Sequence, residues 1–202
     1  FVDATSVSKV EAALTPRTRL VVLESPNTMT FEQQDLAAVA QLARGHGLRT
    51  LVDNSYATPL HQKPIDLGID LVAHSATKYL NGHSDVVAGA LCGSKALIRE
   101  VFKGPYMTLG AMLSPHDAWL MIRGLRTLPL RMERIAASTA RVVAFLRDHP
   151  KVQRLWYPQA GEVGRGGGVD QLQGASGLLS IALRCDSTAG VEIRAMIPVN
   201  LR

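Results

Sequence analysis

Short apolar segments alternate with segments of helical spacing along the first half of this 202-residue chain. Four of the apolar segments are typical of buried strands, and they lie at residues 19–24, 48–53, 71–75 and 86–92. Between the first two, residues 35–44 repeat apolar side chains at helical spacing, and Gly45 and Gly47 can end the predicted helix. Strands that alternate with helices form sheets that are largely parallel. The sequence therefore predicts an α/β fold.

The second and third predicted strands both end near side chains that can bind a ligand or take part in a reaction. Asp53 closes the second strand, and Ser75-Ala76-Thr77-Lys78 stands where the third strand ends. Ligands of a parallel sheet bind beyond the carboxyl ends of its strands. We therefore expect Asp53, Ser75, Thr77 and Lys78 to lie at one binding edge.

This set of side chains matches the needs of pyridoxal phosphate (PLP). That cofactor takes an amine for a Schiff base, hydrogen-bond donors for its phosphate and an acidic partner for its ring nitrogen. Lys78 can supply the amine, Ser75 and Thr77 the donors, and Asp53 the acid. Taken alone, Ser-x-Thr-Lys is more often a surface turn with a solvated lysine, because short motifs match by chance. The choice between these interpretations depends on the flanking sequence.

Three longer segments carry a family resemblance, at residues 52–60, 70–84 and 119–133. The middle one contains Ser75 to Lys78 and continues through Tyr79-Leu80-Asn81-Gly82-His83-Ser84. In order and spacing, these segments resemble the Cys/Met-metabolism family of PLP enzymes, which includes the cystathionine synthases and lyases. Together the segments span most of residues 1–160.

The resemblance implies the aminotransferase-like fold, known as fold type I. Such enzymes hold the cofactor on a seven-stranded, mainly parallel sheet in a large domain, which a smaller C-terminal domain follows. We expect residues 1–127 to be the C-terminal part of the large domain, 128–148 a long linking helix, and 149–202 the start of a truncated small domain. A fragment is expected because the family's upstream cofactor-stacking tyrosine, its intersubunit phosphate ligands and its substrate-carboxylate arginine have no assigned counterparts here.

The same resemblance assigns roles to five residues. Lys78 is the Schiff-base lysine, and it also takes the substrate Cα proton and moves it along the substrate. Asp53 pairs with the ring nitrogen, while Ser75 and Thr77 hold the phosphate. Thr28 stands where many relatives carry an asparagine that contacts the ring hydroxyl.

Several other residues receive weaker interpretations. We expect Tyr79 to pack beside the lysine, His83 to be a hydrogen-bonded residue of the turn, and Tyr56 to pack in the core. Ser55 and Tyr56 are both candidate pocket residues because they lie beside Asp53, although core packing is favoured for Tyr56. The glycine-rich stretch from 164 to 168 and the arginines at 194 and 202 are also conspicuous. We interpret the stretch as a surface loop, because no strand feeds directly into it, and neither arginine receives a role.

The activity implied by the resemblance is elimination or replacement at sulfur amino acids in trans-sulfuration. A carbon–sulfur lyase acting on cystathionine is the first expectation, with cystathionine γ-synthase or O-acetylhomoserine sulfhydrylase as alternatives. Cystathionine β-lyases often lack this asparagine too, which favours the β-lyase branch. In contrast, residues 74–87 are more similar to the γ-synthase and γ-lyase branch. The branch therefore stays open. An alternative of another class is a catalytically incomplete PLP-binding fragment.

Composition narrows the class of partner. The net charge is +5, but Arg and Lys are scattered and aromatic residues make up only 5% of the chain, which disfavours a nucleic-acid surface. No apolar segment approaches the roughly 20 residues of a membrane helix, and no signal-peptide pattern is present. Cys92 and Cys185 form neither a disulfide framework nor a metal motif, and the histidines lack ligand spacing. We expect a cytoplasmic homo-oligomer, a dimer or tetramer with shared active sites, that acts on a small amino acid without a metal.

Overall fold

The computed structural model describes residues 1–158, 171–184 and 193–199. The glycine-rich stretch at 164–168, Cys185 and Arg202 lie outside those ranges, and so does the side chain of Arg194. Within them, every helix is too short or too polar to cross a membrane. The same residues contain no group of three or more His, Cys, Asp or Glu side chains placed to hold a metal ion.

A four-stranded sheet forms the first half of the fold. Its strands, in spatial order, are β1 (Leu20–Glu24), β2 (Arg49–Asp53), β3 (Leu71–Ser75) and β4 (Gly89–Gly93). The first three run parallel, and β4 is antiparallel to β3. Glu24 is in register with Asp53, so the two carboxylates end neighbouring strands at the same edge of the sheet. The predicted α/β fold with a mainly parallel sheet is confirmed.

The fourth strand begins at Gly89, three residues later than its apolar pattern predicts. The reason lies in the backbone of Ala88, which bonds to Thr77 instead of to β3. Thr77 N donates to Ala88 O at 3.1 Å, and Ala88 N donates to the Thr77 hydroxyl at 3.0 Å. These bonds join the start of β4 to the turn that follows β3.

Seven α-helices lie in the described ranges. They are α1 (Val7–Ala12), α2 (Leu36–Gly45), α3 (Thr58–His61), α4 (Lys95–Val101), α5 (Met107–Leu109), α6 (Pro115–Arg126) and α7 (Leu128–Arg147). A 3₁₀ turn occupies Pro64–Leu67, and a π-helical turn, Phe102–Tyr106, connects α4 to α5. Serine side chains cap the first turns of α4 and α6: Ser94 accepts from Leu97 N at 3.2 Å, and Ser114 accepts from Asp117 N at 3.1 Å.

Each apolar cluster of the core joins a different set of elements. The first packs α1 and α2 on β1, β2 and β3 through residues such as Leu36, Val39 and Val52, which are almost fully buried. A second cluster packs the turn after β3 against α6 and α7, through Ala76, Leu80 and Met132 among others. The site residues therefore rest on two separately packed layers.

A second, antiparallel sheet follows α7. It consists of β5 (Val152–Trp156), β6 (Leu178–Leu183) and β7 (Ile193–Pro198), with β6 in the centre. Val143 of α7 packs with Val152 and Leu179 of this sheet. Helix α7 falls where the linking helix is predicted, while the division of the chain at residues 127 and 148 stays a prediction.

The segment from 171 to 177 connects the second sheet to the first half of the fold. The Gln171 amide nitrogen donates to Gln34 O at 2.7 Å and to the Ser25 hydroxyl at 3.1 Å. Two residues later, Gln173 N donates to His61 O at 2.8 Å. Because these groups are mostly buried, the bonds resist water and fix where β6 begins.

Candidate functional site

A cleft of about 780 Å³ lies at the carboxyl edge of the parallel strands. Glu24 and Asp53 line it from the sheet, and Arg131 and Ile135 line it from α7. The second sheet contributes three further lining residues: Leu178, Met196 and Pro198. This volume lies within the range of small-molecule and cofactor sites, which is roughly 300–1,000 Å³.

Lys78 lines this cleft from residues 76–82, which we call the lysine turn. Lys78 N donates to Ser75 O at 3.1 Å, and Gly82 N donates back to Lys78 O at 2.8 Å. Ala76 and Leu80 are buried on either side and anchor the turn in the core, whereas the Lys78 side chain is exposed. Among the described residues, its amine has no hydrogen-bond or ion-pair partner. An amine held in this way is available to a ligand in the cleft.

The Arg131 guanidinium holds the lysine turn in place from α7. It donates to Tyr79 O at 2.8 Å, to Gly124 O at 2.9 Å and, through Nε, to the Thr127 hydroxyl at 3.1 Å, with a longer bond to Leu80 O. Burial lowers the pKa of Arg131 from its ordinary value. These contacts use four of its five N–H donors, so Arg131 supports the turn although it also borders the cleft.

Two glycines allow this close packing. Gly82 adopts a left-handed φ of +75°, and a Cβ added to it would collide with the Arg131 guanidinium. Gly124 in α6 lies against the backbone of Asn81, and a Cβ there would collide with the Asn81 carbonyl. The sequence interpretation missed the role of Arg131, since its partners Tyr79 and Leu80 lie about fifty residues earlier in the chain.

Asp53 reaches the cleft from the end of β2. One carboxylate oxygen accepts from Ser55 N at 2.8 Å, and no salt bridge in the described part of the chain involves Asp53. Burial lowers the pKa of the neighbouring His74. The Asp53 carboxylate acts in the opposite direction, but its effect on this pKa is smaller than that of burial. The imidazole is therefore mainly neutral at pH 7, and the carboxylate remains available to a cationic partner in the cleft.

The hydroxyl residues take different positions. Thr77 lines the cleft, and its hydroxyl donates to Ala88 O and accepts a hydrogen bond from Ala88 N. Thr28 also lines the cleft, where its hydroxyl donates to the Glu24 carboxylate. Ser75 is not among the lining residues, although its amide donates to the Ser55 hydroxyl at 2.6 Å. The structure thus brings Lys78, Asp53, Thr77 and Thr28 together, and the phosphate role of Ser75 stays a prediction.

Three of the weaker sequence interpretations agree with the structure. His83 Nδ1 lies 2.7 Å from Asn81 O, so its prediction as a hydrogen-bonded turn residue is confirmed. Ser55 lines the cleft, as proposed for a pocket residue. Tyr56 packs against the core cluster that contains Phe31, as predicted, and it also lines the cleft.

The residues present fit PLP in two respects. Among the described residues, an amine without a partner and a carboxylate without a salt bridge border one cleft of suitable volume, and they supply two of the three kinds of group that this cofactor takes from its protein. For the phosphate, the Thr77 hydroxyl must exchange its bond to Ala88 O, since that bond uses its only proton. The fit is therefore direct for Lys78 and Asp53 and conditional for Thr77.

Comparison with known families agrees with this chemistry. The family model described as Cys/Met metabolism PLP-dependent enzyme matches residues 1–197. It thus covers the lysine turn, the end of β2, α7 and most of the second sheet.

Individual relatives give the same result. An L-methionine γ-lyase from Pseudomonas putida is 47% identical over 158 residues, covering 78% of this chain and 40% of its own. A cystathionine β-lyase from Coxiella burnetii is 38% identical over 188 residues, covering 92% and 49%. A solved cystathionine γ-lyase from Lactobacillus plantarum, complexed with L-serine, matches with a TM-score of 0.86 at 36% identity, covering 91% and 48%. The chain spans about half the length of the relatives it matches.

We predict that Arg131→Lys destabilises the protein by about 1–3 kcal/mol, because a single ammonium replaces only part of the guanidinium's hydrogen bonds and leaves carbonyls unpaired. Arg134→Lys is the matched control, since Arg134 lies on the same helix with an exposed side chain. Denaturant unfolding measures both variants. Equal stabilities for the two would show that Arg131 does not hold the lysine turn.

Proposed function

This chain belongs to the family of Cys/Met metabolism PLP-dependent enzymes, and from that membership we propose that the protein is a carbon–sulfur lyase of sulfur amino acids that uses PLP. The observation that carries the proposal is the shared cleft of Lys78 and Asp53, in which the amine has no partner and the carboxylate no salt bridge among the described residues. Relatives named as lyases of methionine and of cystathionine support the choice of substrate class.

Lys78 has two tasks in this proposal. Its Nζ would hold the cofactor through the aldehyde group, and the same Nζ would take the proton from the substrate Cα once a substrate amine occupies that place. The lysine turn fixes the backbone of Lys78 on both sides, while the side chain keeps its freedom. A fixed backbone with a mobile amine suits a base that must move a proton between neighbouring atoms.

Asp53 and the two threonines orient the cofactor. PLP, when bound, supplies an electron sink for the charge that develops at the substrate Cα. Asp53 would hold a proton on the ring nitrogen, which keeps that sink effective. Thr77 would bind the phosphate together with Ser75, and Thr28 would stand near the ring hydroxyl, where its present partner is Glu24.

Cystathionine is the substrate we propose first. Cystathionine γ-synthase and O-acetylhomoserine sulfhydrylase activities are the alternatives within the family, and methionine is added as a substrate because of the P. putida relative. The other class of alternative is a PLP-binding fragment without turnover. Relatives of both the β-lyase and γ-lyase kind match this chain, so the proposal leaves the bond that breaks to experiment.

We further propose that the protein is a cytoplasmic homo-oligomer, a dimer or a tetramer. Six large apolar side chains between residues 102 and 122 are more than half exposed, and we call them the apolar surface: Phe102, Met107, Leu109, Met112, Trp119 and Ile122. Exposed apolar residues concentrated in this way are typical of a protein interface. The free, exposed Cys92 thiol suits a reducing compartment, which cell fractionation tests.

The apolar surface predicts the effect of a charge. Trp119→Glu should shift the protein towards monomer in sedimentation velocity, because an interface would lose a large apolar side chain and have to bury a carboxylate in its place. Phe145→Glu is the control, since Phe145 is also more than half exposed but lies outside the apolar surface. A wild-type protein that sediments as a monomer would contradict the oligomer.

Cofactor capture by Lys78 gives a spectroscopic prediction. Wild-type protein mixed with PLP should develop an absorbance band at about 400–430 nm, the region of the lysine-bound cofactor. Lys78→Ala should abolish the band, whereas Lys95→Ala, which removes an exposed lysine of α4, should keep it. No band in the wild type, or the same band in Lys78→Ala, would show that the assignment of Lys78 is wrong.

Product analysis decides the reaction. We expect the PLP-loaded protein to break L-cystathionine: pyruvate with homocysteine indicates β-elimination, and 2-oxobutyrate with cysteine indicates γ-elimination. If the protein acts only on O-acetylhomoserine with sulfide, it is a sulfhydrylase. Activity only on methionine indicates a methionine lyase, and γ-replacement alone indicates cystathionine γ-synthase. Cofactor capture without any turnover would favour the PLP-binding fragment.

A further inference from the structure

Gly177 is a buried meeting point of three parts of the molecule. It precedes β6, and its amide donates to the Tyr79 hydroxyl of the lysine turn at 2.9 Å. Its carbonyl accepts from Val199 N at 2.5 Å. A Cβ at this position would lie 2.5 Å from the Ile135 side chain of α7. Only glycine therefore lets the turn, the long helix and the second sheet approach one another here.

A second tyrosine binds the residues on either side of Gly177. The Tyr56 hydroxyl donates to Leu178 O at 3.3 Å, and the Ser176 hydroxyl donates to Tyr56 O. Tyr56 lies three residues after Asp53, and Tyr79 comes directly after Lys78. Each of the two candidate cofactor residues thus has a nearby tyrosine whose hydroxyl holds the start of β6.

Both hydroxyls keep their protons at neutral pH. Burial raises the pKa of Tyr79, and it raises the pKa of Tyr56 well above its ordinary value. Each phenol is therefore a neutral hydrogen-bonding group, and both link the halves of the fold without adding charge to the cleft.

The start of β6 also sets one wall of the cleft. Leu178 lines it, and Leu178 is in register with Pro198, which lines it from β7. Met196 is the third residue of this wall, and it pairs with Ser180. A shift of Gly177 would therefore move the whole wall relative to Lys78.

We propose that Tyr79 is a positioning residue whose hydroxyl fixes the wall formed by Leu178, Met196 and Pro198 at the distance from Lys78 that a substrate requires. This inference rests on the proposed function, because it concerns the same cleft. Tyr79 acts through Gly177 and needs no contact with the substrate. Loss of its hydroxyl leaves the Gly177 amide buried without a partner, and the wall relaxes.

The substitution Tyr79→Phe tests this role, and Tyr157→Phe is the matched control. The Tyr157 hydroxyl donates to Ser176 O at 3.4 Å, so the control removes a hydroxyl from the same segment, but Tyr157 does not line the cleft. In Tyr79→Phe, hydrogen exchange of the Gly177 amide should accelerate about tenfold or more, because its partner is lost. In Tyr157→Phe, this exchange should stay as in the wild type.

Ligand binding supplies the functional measurement. The affinity for PLP is read from the absorbance band, and the affinity for L-cystathionine from its change of that band. Tyr79→Phe should weaken L-cystathionine binding about fivefold, the effect of roughly one hydrogen bond, and leave PLP affinity within about twofold. Tyr157→Phe should leave both affinities unchanged. If Tyr79→Phe does not fold, hydrogen exchange of the wild-type Gly177 amide decides: exchange as slow as that of the β6 amides supports the bond to Tyr79, and exchange as fast as that of an exposed loop overturns the role of Tyr79.

The outcomes separate the two proposals. A wild-type protein without the absorbance band contradicts the proposed function, and the role of Tyr79 falls with it. A normal band with unchanged L-cystathionine affinity in Tyr79→Phe overturns the role of Tyr79 alone. Equal losses of PLP and L-cystathionine affinity would also overturn it, since they indicate general loosening of the fold.

Discussion

The hydrogen bonds from Arg131 to the carbonyls of the lysine turn are the contact on which the rest of the site depends. A turn that follows a strand leaves backbone carbonyls without strand partners, and those groups need donors when they are half-buried. Arg131 supplies several donors from one planar group, which a lysine cannot do. The lysine turn is thereby fixed to α7. The Lys78 amine, at the edge of the sheet, has no hydrogen-bond or ion-pair partner among the described residues.

The same helix also connects the lysine turn to the second sheet. Arg131 binds the turn, and one helical turn later Ile135 packs against Gly177. Tyr79 closes the connection by bonding the Gly177 amide. The lysine turn, the long helix and the second-sheet wall are therefore linked by direct contacts, which set the position of the Lys78 amine relative to that wall.

Local sequence patterns predict the elements of this structure well. The apolar segments, the serine caps of α4 and α6 and the long helix all depend on residues close in the chain, and the structure contains them. Asp53 and Lys78 are also predictable neighbours of one cleft, because the carboxyl ends of parallel strands meet at one edge.

What the sequence does not predict depends on contacts between distant residues. The Tyr79 hydroxyl meets Gly177 across 98 positions, and no local pattern marks either residue as a partner. Ser75 and Thr77 have equal standing in the sequence motif, yet only Thr77 lines the cleft. The geometry of the turn after β3 decides which hydroxyl borders the cleft, and this geometry depends on packing against α7 and β4.

Of all the amines in the chain, Lys78 is the one proposed to bind the cofactor. Borohydride reduction of the PLP-loaded protein makes such a link permanent, and peptide mass spectrometry then locates it. We predict that the pyridoxyl group is found on the peptide that contains Lys78, in about one equivalent per chain. A label on another lysine, or one spread over several lysines, would contradict the account.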